Sequence, residues 1–200
     1  MQVSAILLAA GNGSRFGGNK LLESYEDKAL YEHTLQKVLA SSFGQVILVT
    51  QYSEIANRVR GIPVELVVNP NPERGISSSI QLGLQRCLPC DGIMFFVCDQ
   101  PHLRTETISG MLATFSQDTS KLVSASYGER RGNPVIFPYA LYDELMGLRG
   151  DHGGSILLQD HQEELKLYAV SHLDELMDID YRDELTGLFV DKNDQNSLKF

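Results

Sequence analysis

The stretch Val3-Ser4-Ala5-Ile6-Leu7-Leu8-Ala9-Ala10-Gly11-Asn12-Gly13-Ser14-Arg15-Phe16-Gly17-Gly18-Asn19-Lys20 decides how the rest of the chain is read. Val3 to Leu8 is almost wholly apolar and runs into a glycine-rich turn, the pattern of a strand buried on both faces of a parallel sheet. Similar runs recur at Gln45–Val49, Val64–Val68, Ile93–Val97, Leu122–Ala125, Val135–Phe137 and Leu165–Val170. Between most of them apolar residues fall at helical spacing: Leu30, Leu35, Val38 and Leu39; Ile76, Ile80, Leu82 and Leu84; Ile108, Met111, Leu112 and Phe115; Leu141, Leu145 and Leu148. Strands alternating with helices predict an α/β fold, a largely parallel sheet of about seven strands covered on both faces. Ligands of such sheets bind beyond the carboxyl ends of the strands, which directs attention to the residues that follow each apolar run.

The bulk composition is compatible with this and narrows it. Two hundred residues suffice for one domain with its own core. We expect a domain over 1–190 and a polar tail over 191–200 (DKNDQNSLKF). Hydrophobic content of 42% and charged content of 22% are those of an ordinary globular protein. A net charge of −9 argues against general nucleic-acid binding, which depends on neutralising phosphates. It leaves room for a local cationic pocket. The first residues carry no basic leader, and no apolar run approaches membrane-spanning length. Three cysteines, an odd number, make no disulfide framework, so a cytoplasmic location is expected.

Within Ala9–Lys20, the glycines and small residues let backbone N–H groups approach and cradle an anion. Arg15 and Lys20 add two cations, which makes a polyphosphate the natural ligand. Two familiar loops fail on spacing. A dinucleotide fingerprint needs G-x-G-x-x-G, but Phe16 stands where its third glycine belongs. A P-loop started at Gly13 has its lysine one place late and Leu21 in place of Ser/Thr. The glycines alone would also suit a tight strand-to-helix turn with no ligand.

Further along, Gly92–Val97 runs into Cys98-Asp99-Gln100-Pro101. A carboxylate at a strand's carboxyl end is well placed to hold Mg2+; alternatively, Asp99 caps a helix beginning near Thr105. Asn69-Pro70 followed by Gly75-Ile76-Ser77-Ser78-Ser79-Ile80 reads as a turn entering a helix, whose serines either face a base or cap the helix. Arg131-Gly132-Asn133-Pro134-Val135 and Gly150-Asp151-His152-Gly153-Gly154 are two more polar turns. In Met177-Asp178-Ile179-Asp180 the alternating acids share one side of an extended segment, and one of them would complete a metal site with Asp99.

L-A-A-G-x-G-x-R-F-G-x-x-K resembles the signature of the nucleotidyltransferase superfamily that includes the sugar-nucleotide pyrophosphorylases. The ordered set that follows it, N-P-x-x-x-x-G-I-S-S-S-I, C-D-Q-P, G-N-P-V, G-D-x-G-G and D-I-D, is similar to the molybdenum-cofactor nucleotidyltransferases. Ala9-Ala10-Gly11 and C-D-Q-P resemble the cytidylyltransferase branch, where the guanylyl branch carries A-G-G. This resemblance, from residue 6 to about 185, implies a Rossmann-like three-layer fold with a mixed sheet. It also implies transfer of CMP from CTP to the phosphate of molybdenum-loaded molybdopterin, in support of molybdenum hydroxylases of the xanthine dehydrogenase type. By the same resemblance, Leu8, Ala9, Ala10, Gly11, Gly13, Ser14, Arg15 and Lys20, with Gly75, Ser78, Ser79 and Asp99, hold the nucleotide. Arg15, Lys20 and Asp99 are catalytic, and Asp99 and Asp180 hold Mg2+, with the two cations acting from its opposite side. Gln100, Pro101, Gly132, Asn133, Pro134, Asp151, Gly153 and Gly154 meet the acceptor. A hydroxylase or its maturation chaperone is the implied partner; nucleic acid and membrane are not. GTP as donor, a sugar or polyol phosphate as acceptor, and a regulatory nucleotide-binding module without turnover are the competing readings. The pattern is departed from in two places: D-I-D continues as Tyr181-Arg182 where Thr-Pro is usual, and Gly154 stands where alanine is common.

Other features carry less. Cys87-Leu88-Pro89-Cys90 has the form of a redox motif but follows a helix, whereas a dipole-activated cysteine begins one. Cys98 lacks the companions of a zinc site. His33, His161 and His172 read as surface residues, His102 as a neighbour of the site, and His152 as a possible substrate contact. No Ser-His-Asp spacing stands out.

Overall fold

A computed structural model describes residues 1–11, 13 and 16–186; the expected tail at 191–200 lies outside the described residues. The main sheet comprises β1 (Val3–Ala9), β4 (Gln45–Thr50), β5 (Glu65–Val68), β6 (Gly92–Val97), β7 (Leu122–Tyr127), β8 (Arg130–Pro138) and β9 (Leu165–Ala169). Each corresponds to one of the seven apolar runs. A small hairpin, β2 (Ser24–Tyr25) with β3 (Lys28–Ala29), was not signalled by periodicity because two-residue strands show none. The helices are α1 (Leu30–Leu39), α2 (Ser53–Arg58), α3 (Ile76–Leu84), α4 (Thr105–Gln117), α5 (Tyr142–Gly147) and α6 (Leu157–Asp160).

The strand order is β5-β4-β1-β6-β8-β7-β9. Strands β5, β4, β1 and β6 are parallel, as are β7 and β9; β8 runs antiparallel to both of its neighbours. The sheet is therefore mixed. Alternation along the strands divides the interior into two cores. Val3, Ala5, Leu7 and Ala9 join Met94 and Phe96 against α1 and α4, while Ile6, Ile47, Val49, Ile93 and Phe95 pack against α3 and α5. Leu7 is fully buried, so truncating it to alanine would cost about 2–5 kcal/mol.

Strand β1 is flanked by β4 on one side and β6 on the other, so the connections leaving their carboxyl ends diverge. This is a topological switch point, where a crevice opens above the sheet. Antiparallel β8 brings its early residues to the same end. Opposite β7 its register shifts, from Ser124↔Val135 to Ala125↔Gly132, so Asn133 and Pro134 bulge out of the ladder. The Asn133–Pro134 bond is cis.

His33 corrects the sequence reading. It is buried, with Nε2 2.9 Å from the Tyr25 carbonyl oxygen and its ring edge-on to that of Tyr25. It lies on the apolar face of α1 and braces the β2–β3 hairpin. Among the described residues no helix is long and apolar enough to cross a membrane.

Candidate functional site

The glycine-rich loop leaves β1 and folds onto itself. Phe16 N–H and Gly17 N–H donate to Gly13 O at 3.0 and 3.1 Å, and Lys20 N–H donates to Gly18 O at 3.1 Å. Gly13 has φ 55°, and a Cβ there would stand 2.2 Å from Gly18 O, so only glycine permits this closure. The end of β4 fixes the loop's entrance. Thr50 Oγ1 donates to Ala9 O, Gln51 Nε2 to Ala10 O and Tyr52 OH to Gly11 O, at 2.9, 2.9 and 2.6 Å. These three residues were not flagged by motif, although their place after an apolar run could have signalled them. Asn12, Ser14 and Arg15 lie outside the described residues, and with them the roles expected of Ser14 and Arg15.

Lys20, at the far end of the loop, has an unexpected setting. Its Nζ lies 2.8 Å from Asp99 Oδ2 and 3.0 Å from Asp180 Oδ1, and donates to Ile179 O at 2.8 Å. The ammonium thus sits between the two proposed metal-holding carboxylates, on their own side and not across from them. Burial opposes its charge, but Asp99 and Asp180 outweigh that and hold its pKa above the ordinary lysine value. Asp178, beside this cluster, is engaged by Gln100: its Oδ1 accepts from Gln100 Nε2 at 2.8 Å. Burial and the nearby Asp99 charge push it up to about 6.

Asp99 does not cap the following helix. Arg104 holds that position, and Glu175, buried, accepts from Arg104 N–H at 3.3 Å and Thr107 Oγ1 at 2.5 Å. Asp99 Oδ1 is buried and meets no hydrogen-bond donor among the described residues. An orphaned carboxylate oxygen beside a second carboxylate fits a divalent cation that takes its remaining ligands from substrate phosphates and water, the usual habit of Mg2+. No group of three or more His, Cys, Asp or Glu among the described residues forms a closed metal cage.

Two cavities open here. The first, about 440 Å3, is lined among others by Leu8, Ala10, Gly11, Lys20, Gly75, Ser79 and Asp99. Arg74 and Glu73, on a short helical turn absent from every motif, complete its rim. The second, about 450 Å3, is lined by Gly132, Asn133, Gly153 and Gly154 together with Arg131 and Phe137. Leu8, Ile76, Val97 and Asp151 line both. The loop carrying Asp151 rests directly on the start of α3. Ser77 N–H donates to Gly150 O at 3.2 Å and Ile76 N–H to Asp151 Oδ1 at 3.3 Å. Gly75, at φ 84°, passes so near that a Cβ would lie 2.4 Å from Gly150.

Other residues named from sequence stand behind these walls. Ala9 is buried, and its carbonyl is held by Thr50. Ser78 and Ser79 both accept from the buried Asn69 Nδ2, at 3.0 and 2.9 Å; of the two only Ser79 faces the first cavity. Gln100, Pro101 and Pro134 line neither cavity. Gln100 is buried and also donates to Leu176 O at 3.3 Å, and Pro101 O accepts from Lys37. His152 lines neither cavity, and His102 meets Tyr25 OH at 3.0 Å.

Comparison with known proteins places this arrangement. A model of the MobA-like NTP transferase domain matches residues 5–165. The nicotine blue oxidoreductase of Paenarthrobacter nicotinovorans is 28% identical over 204 residues, covering 96% of this chain and 94% of that protein. The purine catabolism protein PucB of Bacillus subtilis is 26% identical, over 78% of this chain and 80% of its own. A molybdenum cofactor guanylyltransferase of Bordetella petrii is 29% identical, over 67% and 69%. The crystal structure of Rv0371c from Mycobacterium tuberculosis H37Rv aligns with a TM-score of 0.82 at 26% identity, covering 94% of this chain and 98% of that one. A second structure of that protein, in complex with manganese, aligns with a TM-score of 0.72 at 24% identity, covering 85% and 89%.

Proposed function

The chain belongs to the MobA-like NTP transferase family, and from that premise we propose that residues 1–190 form one cytoplasmic transferase unit moving CMP from CTP to the phosphate of molybdenum-loaded molybdopterin. The observation that carries this reading is the pair of abutting cavities, the first lined by Lys20 and Asp99, with four residues lining both. A nucleotide in one and a phosphorylated acceptor in the other would meet over the shared wall.

In the reaction, an oxygen of the acceptor phosphate attacks the α-phosphorus of CTP. The bond from that phosphorus to the β-bridging oxygen breaks, and pyrophosphate carries away the electron pair. No covalent enzyme intermediate is required, so catalysis is positioning and charge neutralisation. Backbone N–H groups of the glycine loop, with Arg15, cradle the triphosphate. Lys20 has three donors on one ammonium and can turn toward the departing pyrophosphate while keeping a carboxylate contact. Mg2+, when bound by Asp99 and Asp180, supplies additional positive charge at the reacting phosphates. The manganese complex of Rv0371c supports a divalent ion.

Ala10 and Gly11, with Ser79, border the base, and Ala10 favours cytosine by the motif resemblance given above. Ser78 supports the base side from behind, and Gly132, Asn133, Asp151, Gly153 and Gly154 border the acceptor, with Gln100, Pro101 and Pro134 set back from it. A guanylyl donor is the second reading, favoured by the guanylyltransferase relative. By the motif resemblance given above, a molybdenum hydroxylase or its maturation chaperone receives the product. Pull-down on an immobilised apo-hydroxylase should retain the protein, and its absence from the eluate would remove that partner.

The deciding experiment is pyrophosphate release by purified protein with Mg2+, offering CTP or GTP and molybdopterin or a sugar phosphate. Release with CTP and molybdopterin, abolished by a chelator, is the expected result. Release only with GTP overturns the base, and release only with a sugar phosphate overturns the acceptor. No release with any pair, but oxidation or reduction of nicotine blue, would favour the chemistry named for the Paenarthrobacter relative.

A further inference from the structure

The segment after Ile179 lies along the outside of the glycine loop. It is fastened at both ends. Ile179 is fully buried, and its N–H donates to Asp99 O at 2.9 Å. Glu184 Oε2 accepts from the N–H groups of Asp180 and Tyr181 at 2.7 and 3.0 Å, and Leu185 packs against the core. Between these fastenings Arg182 projects onto the loop. Its guanidinium carbon stands 4.8 Å from the centre of the Phe16 ring, within cation–π range. Its Nη2 lies 3.1 Å from Glu23 Oε1, just beyond the loop. Phe16, in the middle of the loop, is buried.

The same segment also holds the loop's far end, since Ile179 O and Asp180 Oδ1 contact Lys20. The loop is thus gripped at Phe16 and at Lys20 by one stretch of chain. Neither Phe16 nor Arg182 lines the first or second cavity, so Arg182 reaches a ligand there only through the loop. Tyr181-Arg182 is also where this chain leaves the motif pattern described from sequence, so the grip is a feature of its own residues.

We propose that Arg182 is a positioning residue for nucleotide binding: by covering Phe16 and pairing with Glu23, it holds the glycine loop in the form closed by the hydrogen bonds of Phe16 and Gly17 to Gly13 O. The inference rests on the reading of Ala9–Lys20 as the phosphate site. Loosening the grip lowers the fraction of loops ready to bind and leaves the chemistry of the bound complex untouched. Its signature is therefore in affinity and KM rather than in kcat.

The test compares wild type with Arg182→Ala, Arg182→Lys, Phe16→Leu, Glu23→Gln and the Arg182→Ala/Phe16→Leu double variant. CTP affinity is measured by calorimetry, and turnover and proteolytic cutting within residues 13–20 are followed alongside. Arg182→Ala should weaken CTP binding and raise KM roughly three- to five-fold, the size an exposed cation–π contact supports, with kcat within about two-fold. Cutting of the loop should quicken, and Arg182→Lys should recover most of the loss. The double variant should be no worse than Arg182→Ala alone, because Phe16→Leu removes a contact that Arg182→Ala has already removed. Glu23→Gln should share part of the Arg182→Ala loss; additive effects of Arg182→Ala and Phe16→Leu, or a loss in Arg182→Ala with none in either Phe16→Leu or Glu23→Gln, would mean that Arg182 meets the phosphates directly and would overturn the proposal. So would unchanged KM and unchanged cutting. A wild type that binds neither CTP nor GTP sinks the nucleotide reading instead, while the cutting rates still report whether Arg182 holds the loop.

Discussion

One oxygen of Asp99 meets the Lys20 ammonium; the other is buried and meets no donor among the described residues. A carboxylate held half-satisfied is costly to keep in a fold, and the divalent cation of the proposed mechanism would account for it. Asp99→Ala should lower turnover by roughly a hundred-fold or more, as loss of a preorganised electrostatic group does. Nucleotide affinity, measured by calorimetry, should stay within about three-fold, because the loop's N–H groups remain. Turnover at the wild-type rate would remove Asp99 from the mechanism. That Asp99 would reach the crevice was legible in the sequence because residues following an apolar strand of a parallel sheet lie at its carboxyl end. The Lys20–Asp180 contact was not, since 160 positions separate the two residues and only the folded sheet joins them. His33 was misread for a related reason: a histidine within an amphipathic helix gives no sign of which neighbour will take its ring nitrogen.

The connections above the sheet are tied to each other. The exit of β6 meets the chain's late segment three times: through Ile179 N–H to Asp99 O, and through Gln100 Nε2 to Leu176 O and Asp178 Oδ1. Gln100 and Pro101 were expected from motif resemblance to touch the acceptor; they line neither cavity, and their hydrogen bonds are to the surrounding chain. Gln100→Ala should lower unfolding free energy by about 1–3 kcal/mol through the partners it strands, with an unchanged denaturant slope in urea. Full stability in the variant would show that water takes over its bonds. At this scale the sequence conveyed all seven strands, because apolar runs bounded by turns are a strong signal. It was silent on the β8 bulge and on the Pro72–Arg74 turn that brings Arg74 to the rim, neither of which alters hydrophobic periodicity.

For the molecule as a whole, the mixed strand order is what makes one crevice out of distant pieces. Parallel β1, β4 and β6 deliver the glycine loop, its anchors and Asp99 to the same end, and antiparallel β8 delivers Asn133 there from the opposite direction. The cavities this creates adjoin, sharing Leu8, Ile76, Val97 and Asp151, and that adjacency bears on what happens after transfer. Under the function proposed above, a dinucleotide made across the shared wall would occupy both halves at once, and two tethered moieties let go together far less readily than either alone. The enzyme should therefore be slowed by its own product: rapid-quench measurements should show a burst of pyrophosphate equal to the enzyme present, followed by a slower steady rate. A linear time course from the first turnover would mean that the dinucleotide escapes freely. If the burst is seen, the finished cofactor waits on the enzyme that made it, and handing it to a recipient protein becomes the step that sets the pace.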